Sequence, residues 1–313
     1  MKKLVAKQSL IIGAIVLVVL AIGAVCFDRF VLKLSLVKSL RHYYPLAVSY
    51  KLADEKCEFN PRYNPAITTL PHRNFIAHAG GAILKNAQGQ PQTYTYTNSK
   101  EALLQSLQEG FSFIELDLML DDAGGIFAAH DYKHFYSLVG KEVQGDEALT
   151  APSKQEILES KIHGFLTPLV AESITQIFQS YPHAYLVTDK LNDFAAIKAQ
   201  LPFTQRILIE VFSLRGYYQA KQMGLKPMLS ISDIALAKAL RIPMVATHTS
   251  TISKNPQLAQ EYIEQGGCIM AFSSNEKDFI ERHKDKSATM FYTDYFDINA
   301  NDCKLEHSRC ETY

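Results

Sequence analysis

Residues 111–131 read FSFIELDLMLDDAGGIFAAHD, and the fold turns on how this stretch is taken. In an extended strand alternate side chains share a face. Phe113, Glu115, Asp117 and Met119 then point one way, and Ile114, Leu116 and Leu118 the other. The second face is wholly apolar and suits a covering layer of helices, which leaves Glu115 and Asp117 on an inner face. Two adjacent carboxylates inside a fold repel each other and lose hydration. A hard divalent cation with oxygen ligands relieves both costs. Salt-bridged or solvated carboxylates are the alternative, but no Lys or Arg lies on the same strand. The turn Asp121-Asp122-Ala123-Gly124 is too short for a helical crossover. Gly125–His130 is therefore expected to fold back as a hairpin, outside the main strand alternation.

Outward from this stretch the chain alternates short apolar runs with helix-length segments. The strands predicted are Phe75–His78, Ser112–Met119, Ala184–Asp189, Arg206–Phe212, Pro227–Ile231, Pro243–Thr247, Cys268–Ser273 and Thr289–Thr293. Parallel strands joined by helical crossovers follow from that order. Eight of them at this length predict an α/β protein with a closed (β/α)8 TIM barrel, an open doubly wound sheet being the alternative. A first helix is expected over Ser99–Glu109, with Asn98 as its cap, Glu101 at the capping-box position and Gly110 at its end.

Histidines complete a chemical set. His78 ends the first strand in NFIAHAGG, where Gly80 and Gly81 would allow backbone and substrate to approach closely. His130 ends the hairpin in FAAHD. A barrel carries its chemistry at the strand C-termini, and imidazoles there suit general acid and base work. Other polar residues are weaker candidates. Glu210 is expected in a structural salt bridge rather than the lumen, and His248 on an exposed loop. His134, Tyr292 and Asp294 are second-tier contacts.

The chain has 313 residues, 32 basic and 32 acidic, and no basic stripe, which argues against a nucleic-acid partner. Ser9–Phe27 is uncharged and long enough to cross a bilayer, so a single-pass transmembrane helix is expected, with a cleaved signal peptide as the competing reading. Basic residues flank it on both sides. A short basic tail that stays inside would put the main domain on the non-cytoplasmic side. Cys57, Cys268, Cys303 and Cys310 follow the span. The last two close a short loop that suits a disulfide in an oxidising compartment, though free thiols fit equally. The organisation expected is a tail and anchor over 1–27, a juxtamembrane segment over 28–72, the barrel over 73–298 and a tail over 299–313.

The pieces IAHAGG, TNSKEALLQSLQEGF, FIELDLMLDDAGGIFAAHD, FLTPLVAESI and MFYTDYF, in this order over about residues 74–296, resemble the glycerophosphodiester phosphodiesterase family. This family lies within the phosphatidylinositol phospholipase C-like barrel group. The resemblance implies that Glu115 and Asp117 bind Mg2+ or Ca2+ and that His78 and His130 act as general acid and base. Two departures stand out. Ala79 replaces the arginine of the family's His-Arg-Gly, removing a charge-assisted phosphate contact. YLVTDKL replaces the family's Glu-x-Lys, which makes Asp189 the third metal ligand expected and Lys190 a substrate contact, while a tighter register would align Thr188 with the glutamate. Related sphingomyelinase D enzymes also lack that arginine and use an aspartate on this strand. The implied activity is metal-dependent hydrolysis of glycerophosphodiesters, lysophospholipids or another envelope phosphodiester. The alternatives are a lyase that stops at a cyclic phosphate and a non-catalytic ligand-binding barrel.

Overall fold

The computed structural model describes residues 55–143, 145, 150–272, 274–305 and 310. The expected membrane span at Ser9–Phe27 lies outside these residues. Among the described residues no helix is long and apolar enough to cross a membrane.

Eleven strands carry the main architecture: β1 (Phe75–Ala77), β2 (Ile83–Lys85), β3 (Pro91–Tyr94), β4 (Phe113–Leu120), β5 (Ile126–Ala128), β6 (Tyr185–Asp189), β7 (Ile207–Val211), β8 (Lys226–Ser230), β9 (Met244–His248), β10 (Cys268–Phe272) and β11 (Met290–Thr293). Eight of them pair in parallel in the order β1-β11-β10-β9-β8-β7-β6-β4. The ring closes where Ile76 and Ala77 of β1 pair with Phe113 and Ile114 of β4. The result is a (β/α)8 barrel, and closure leaves no free strand edge along the ring. β5 lies antiparallel on β4 as the expected hairpin, with Leu118 opposite Ala128. β2 and β3 form a separate small hairpin between β1 and the first long helix.

That helix, Lys100–Glu109, differs from expectation at its start. Ser99, not Asn98, caps it by accepting from the Ala102 amide at 3.3 Å. Glu101 does not form a capping box either. Its carboxylate receives the Thr167 amide and hydroxyl at 2.7 and 2.9 Å and ties a distant loop to the helix. Gly110 ends the helix in the left-handed conformation, as expected.

The lower lumen is filled by Ile76, Phe113, Val187, Leu208, Met228, Met244, Ala246, Met270 and Met290. Side chains from alternate strand positions make this a packed core, not a pore. Its floor is closed by residues assigned from sequence to a juxtamembrane connection. Phe59 is buried with edge-on contacts to Phe113 and Tyr185, each at 5.3 Å. Asn60 donates to the carbonyls of Ile263 and Gly267 at 2.8 Å, and Cys57 forms a disulfide with Cys268 of β10. The barrel body therefore begins well before residue 73, because the open lower end needs an apolar cover. The second disulfide, Cys303–Cys310, closes the short loop in the C-terminal tail. Lys304 fastens that tail to the first long helix through Glu109 at 2.6 Å.

Candidate active site

At the strand C-termini the inward positions switch from apolar to ionisable. β4 points Glu115 and Asp117 inward, and their register partners on β6 are Val187 and Asp189. Asp189 therefore shares the inner face with Asp117, while Thr188 faces the other way. Single ligand atoms of Glu115, Asp117 and Asp189 lie within 4.8 Å of one another. Glu115 and Asp117 are only 1 and 2 % exposed, which is costly for two carboxylates. One Glu115 oxygen, Oε2, accepts the Ala79 amide at 2.6 Å. The other, Oε1, is buried with no partner. An all-oxygen donor set with one orphaned, buried oxygen fits a hard divalent cation such as Mg2+ or Ca2+. Burial and the Asp117 charge push the Glu115 carboxyl well above the usual range, with His78 opposing them.

Lys190 supplies the positive charge that β4 itself lacks. Its Nζ lies 2.9 Å from Asp189 Oδ2 and 3.8 Å from Asp117 Oδ1. Burial works against that charge, but Asp189, Asp117 and Glu115 together outweigh it and raise the Lys190 pKa. Asn98, expected as a helix cap, serves the site instead. Its Nδ2 donates to Asp117 Oδ2 at 3.0 Å and its Oδ1 accepts the Asp117 amide at 2.9 Å. This two-point contact fixes the Asp117 rotamer.

Both histidines reach the mouth. His78 Nδ1 sits 3.1 Å from Asp294 Oδ1, and Nε2 lies 4.0 Å from Glu115 Oε2. Burial opposes protonation, yet Asp294, Glu115 and Asp117 together raise the His78 pKa to about 9. Asn275 holds the other Asp294 oxygen at 3.3 Å, so Asp294 orients His78 and is more than a second-tier contact. His130 Nδ1 lies 2.8 Å from Asp131 Oδ2, which leaves Nε2 as the ring nitrogen outside that contact. Tyr96, absent from the sequence reading, stands between the two. Its ring lies 4.6 Å from His78 and 6.1 Å from His130, edge-on to both. His134 stacks edge-on to His130 at 5.7 Å.

The glycines after His78 allow the close backbone approach expected of them. A Cβ on Gly81 would meet Ser106 Oγ at 2.3 Å, and Ser106 donates to the Gly80 carbonyl at 2.7 Å. They let the first long helix pack against the end of β1. Ala79 itself is buried in the left-handed conformation at φ 47°, so nothing replaces the missing guanidinium at that position. Glu210 also corrects the sequence reading. It makes no salt bridge among the described residues. It is buried in the lumen, where its Oε2 accepts the Tyr292 hydroxyl at 3.1 Å. Burial and the Asp189 charge raise its pKa to about 7. His248 ends β9 and uses its ring nitrogen to cap the next helix at the Ser250 amide.

Solved structures share this architecture. A glycerophosphodiester phosphodiesterase from Parabacteroides distasonis superposes with a TM-score of 0.56 at 13 % identity, over 76 % of this chain and 98 % of that one. The fold is that of the glycerophosphodiester phosphodiesterases. A putative glycerophosphodiester phosphodiesterase from Galdieria sulphuraria has a TM-score of 0.57 at 12 % identity, over 72 and 96 % of the two chains. An Oleispira antarctica phosphodiesterase in complex with its product, sn-glycerol-3-phosphate, gives 0.56 at 16 % identity over 75 and 98 %. No protein-family model and no curated protein matches the sequence. At such identities the likeness bears on the fold, and the glycerophosphodiester phosphodiesterase resemblance read from the motifs is met at that level.

Proposed function

We propose that this chain is a metal-dependent phosphodiesterase of the glycerophosphodiester phosphodiesterase type. The observation that carries the reading is the unpartnered Glu115 Oε1 grouped with Asp117 and Asp189, flanked by two carboxylate-anchored histidines. Glu115, Asp117 and Asp189 would hold Mg2+ or Ca2+, which supplies neutralisation of phosphate oxygens when bound. One histidine takes the proton of the attacking hydroxyl as its oxygen bonds to phosphorus. The other gives a proton to the departing oxygen as the old P–O bond breaks. Asp294 and Asp131 hold the two imidazoles in place for this exchange. Asn98 positions Asp117, and Lys190 contributes an ammonium beside it that can face a phosphate.

The attacking hydroxyl comes either from water or from the substrate itself, and the second route ends at a cyclic phosphate. Substrates in this reading are glycerophosphodiesters, lysophospholipids or other envelope phosphodiesters. An anchor at Ser9–Phe27 would hold the mouth near such molecules on the non-cytoplasmic side, and the Cys57–Cys268 disulfide supports an oxidising compartment.

The test is phosphorus NMR of the full chain in detergent with mixed glycerophosphodiesters and lysophospholipids, in Mg2+, Ca2+ or chelator. Metal-dependent appearance of a monoester or a cyclic phosphate is expected. A folded protein that binds metal yet converts none of them would favour a ligand-binding barrel, for which the absent arginine at position 79 is the supporting feature.

A further inference from the structure

Tyr96 stands between the two histidines, and the proposed chemistry gives it no task. Its ring is edge-on to His78 at 4.6 Å and to His130 at 6.1 Å, yet the residue is 37 % exposed. The backbone reaches this place under strain, with Tyr96 in the left-handed region at φ 53°. A bulky side chain rarely accepts that conformation, which persists only where the surroundings impose it. Here both flanks are pinned. Before it, the Tyr94 ring packs against His163 and Phe165 at 4.6 and 5.4 Å. After it, Thr97, Asn98 and Ser99 are buried. The Asn98 amide donates to the Ala79 carbonyl at 3.1 Å, and its side chain holds Asp117. A glycine would make this turn without strain, but it would put nothing between the imidazoles.

The hydroxyl is the second observation. Among the described residues it has no hydrogen-bond partner. Burial, and then the charges of Asp294, Asp117 and Glu115, raise the phenol pKa, so the group is a neutral O–H donor beside the carboxylates. In-line displacement at phosphorus puts the attacking and leaving oxygens at opposite apices, with the non-bridging oxygens in the plane between them. With each apex served by one imidazole, a donor standing between the imidazoles meets that plane. Ala79, the neighbour of His78, carries no donor side chain. We propose that the Tyr96 hydroxyl donates to a non-bridging oxygen of the phosphodiester and so fixes the phosphorus between His78 and His130. The proposal rests on the mouth being a phosphodiester site.

The experiment uses the full chain in detergent and its Tyr96→Phe variant, which keeps the ring between the imidazoles and removes only the hydroxyl. Calorimetry on the Mg2+-loaded proteins measures binding of orthophosphate and of glycerol phosphate, and phosphorus NMR follows turnover of glycerophosphodiesters. Tyr96→Phe should weaken both ligands alike and lower kcat/KM, each by about 10–100-fold, with Mg2+ affinity unaltered. Unaltered binding and turnover in the variant overturn the contact, while wild-type turnover keeps the phosphodiesterase reading. A loss confined to glycerol phosphate overturns it too, because the hydroxyl would then meet the glycerol. So does a matching loss of Mg2+ affinity, which would place its action on the metal group. If wild type binds both ligands but turns over no ester, and Tyr96→Phe loses that binding, the hydrolase reading fails and the Tyr96 contact stands. If wild type neither binds them nor turns over an ester, both fall.

Discussion

Replacing Glu115 by Gln should stabilise the metal-free protein while removing its response to metal. The Ala79 amide donates to Oε2 at 2.6 Å, and a glutamine carbonyl can keep that bond. The amide nitrogen then takes the place of the orphaned Oε1, beside Asp117 and Asp189. An acceptor without a partner becomes a donor among acceptors, and a carboxyl whose ionisation burial and Asp117 oppose gives way to a neutral group. A buried unsatisfied group costs roughly 1–3 kcal/mol. In a domain of this size that corresponds to a rise in Tm of about 2–10 °C. Metal acts in the opposite sense on wild type, which gains about 2.7 kcal/mol at a hundredfold excess over Kd. The two proteins should exchange rank between chelator and saturating Mg2+ or Ca2+, followed by calorimetric melting of the full chain in detergent. A Glu115→Gln variant less stable than wild type in chelator, or one with an undiminished metal response, would refute the reasoning.

Three further outcomes follow from the same geometry. His130→Ala should leave metal affinity intact, since its ring contacts are Asp131, Tyr96 and His134, while kcat/KM falls by about 10²–10⁴-fold; a parallel loss of metal binding in titration calorimetry would contradict it. The metal-free protein should lose stability in urea unfolding between pH 6.5 and 9. His78 is raised from 6.5 to about 9 on folding, so its contribution is complete below 6.5 and gone above 9, at most about 3 kcal/mol. Asp294→Asn should flatten that slope, and an equally steep profile in the variant would show that Asp294 is not the partner that matters. Replacing both Cys57 and Cys268 by Ser should cost about 2–5 kcal/mol of stability without changing metal affinity, because the bridge closes the floor and not the mouth; a variant as stable as wild type would remove that role.

The barrel was legible in the sequence because its signals are local. Strand alternation in FIELDLML, the apolar outer face and the spacing of eight runs placed every barrel strand within a residue or so of its observed bounds. The pair Glu115 and Asp117 needed only the period of a strand, whereas Asp189 came from the family resemblance, with Thr188 open until the register of β4 and β6 put Asp189 opposite Asp117. His78 and His130 were legible for the same reason, as each ends a recognisable run.

What local pattern could not reveal is who meets whom across the ring. Asn98 reads as a helix cap by residue type, and only the approach of its loop to β4 turns it onto Asp117. Glu210 reads as a candidate for a structural salt bridge until β11 brings the Tyr292 hydroxyl across the lumen. Tyr96 has no signature at all, and its place between the histidines comes from the path of the small hairpin back to the rim. Cys57 and Cys268 lie 211 residues apart, and nothing short of barrel closure sets them side by side. Period and composition act over a few residues, so the sequence by itself determined the strands, their inward faces and the carboxylates and imidazoles they carry. Contacts between side chains far apart in the chain depend on how a closed ring orders its staves, and that the tertiary structure alone decided.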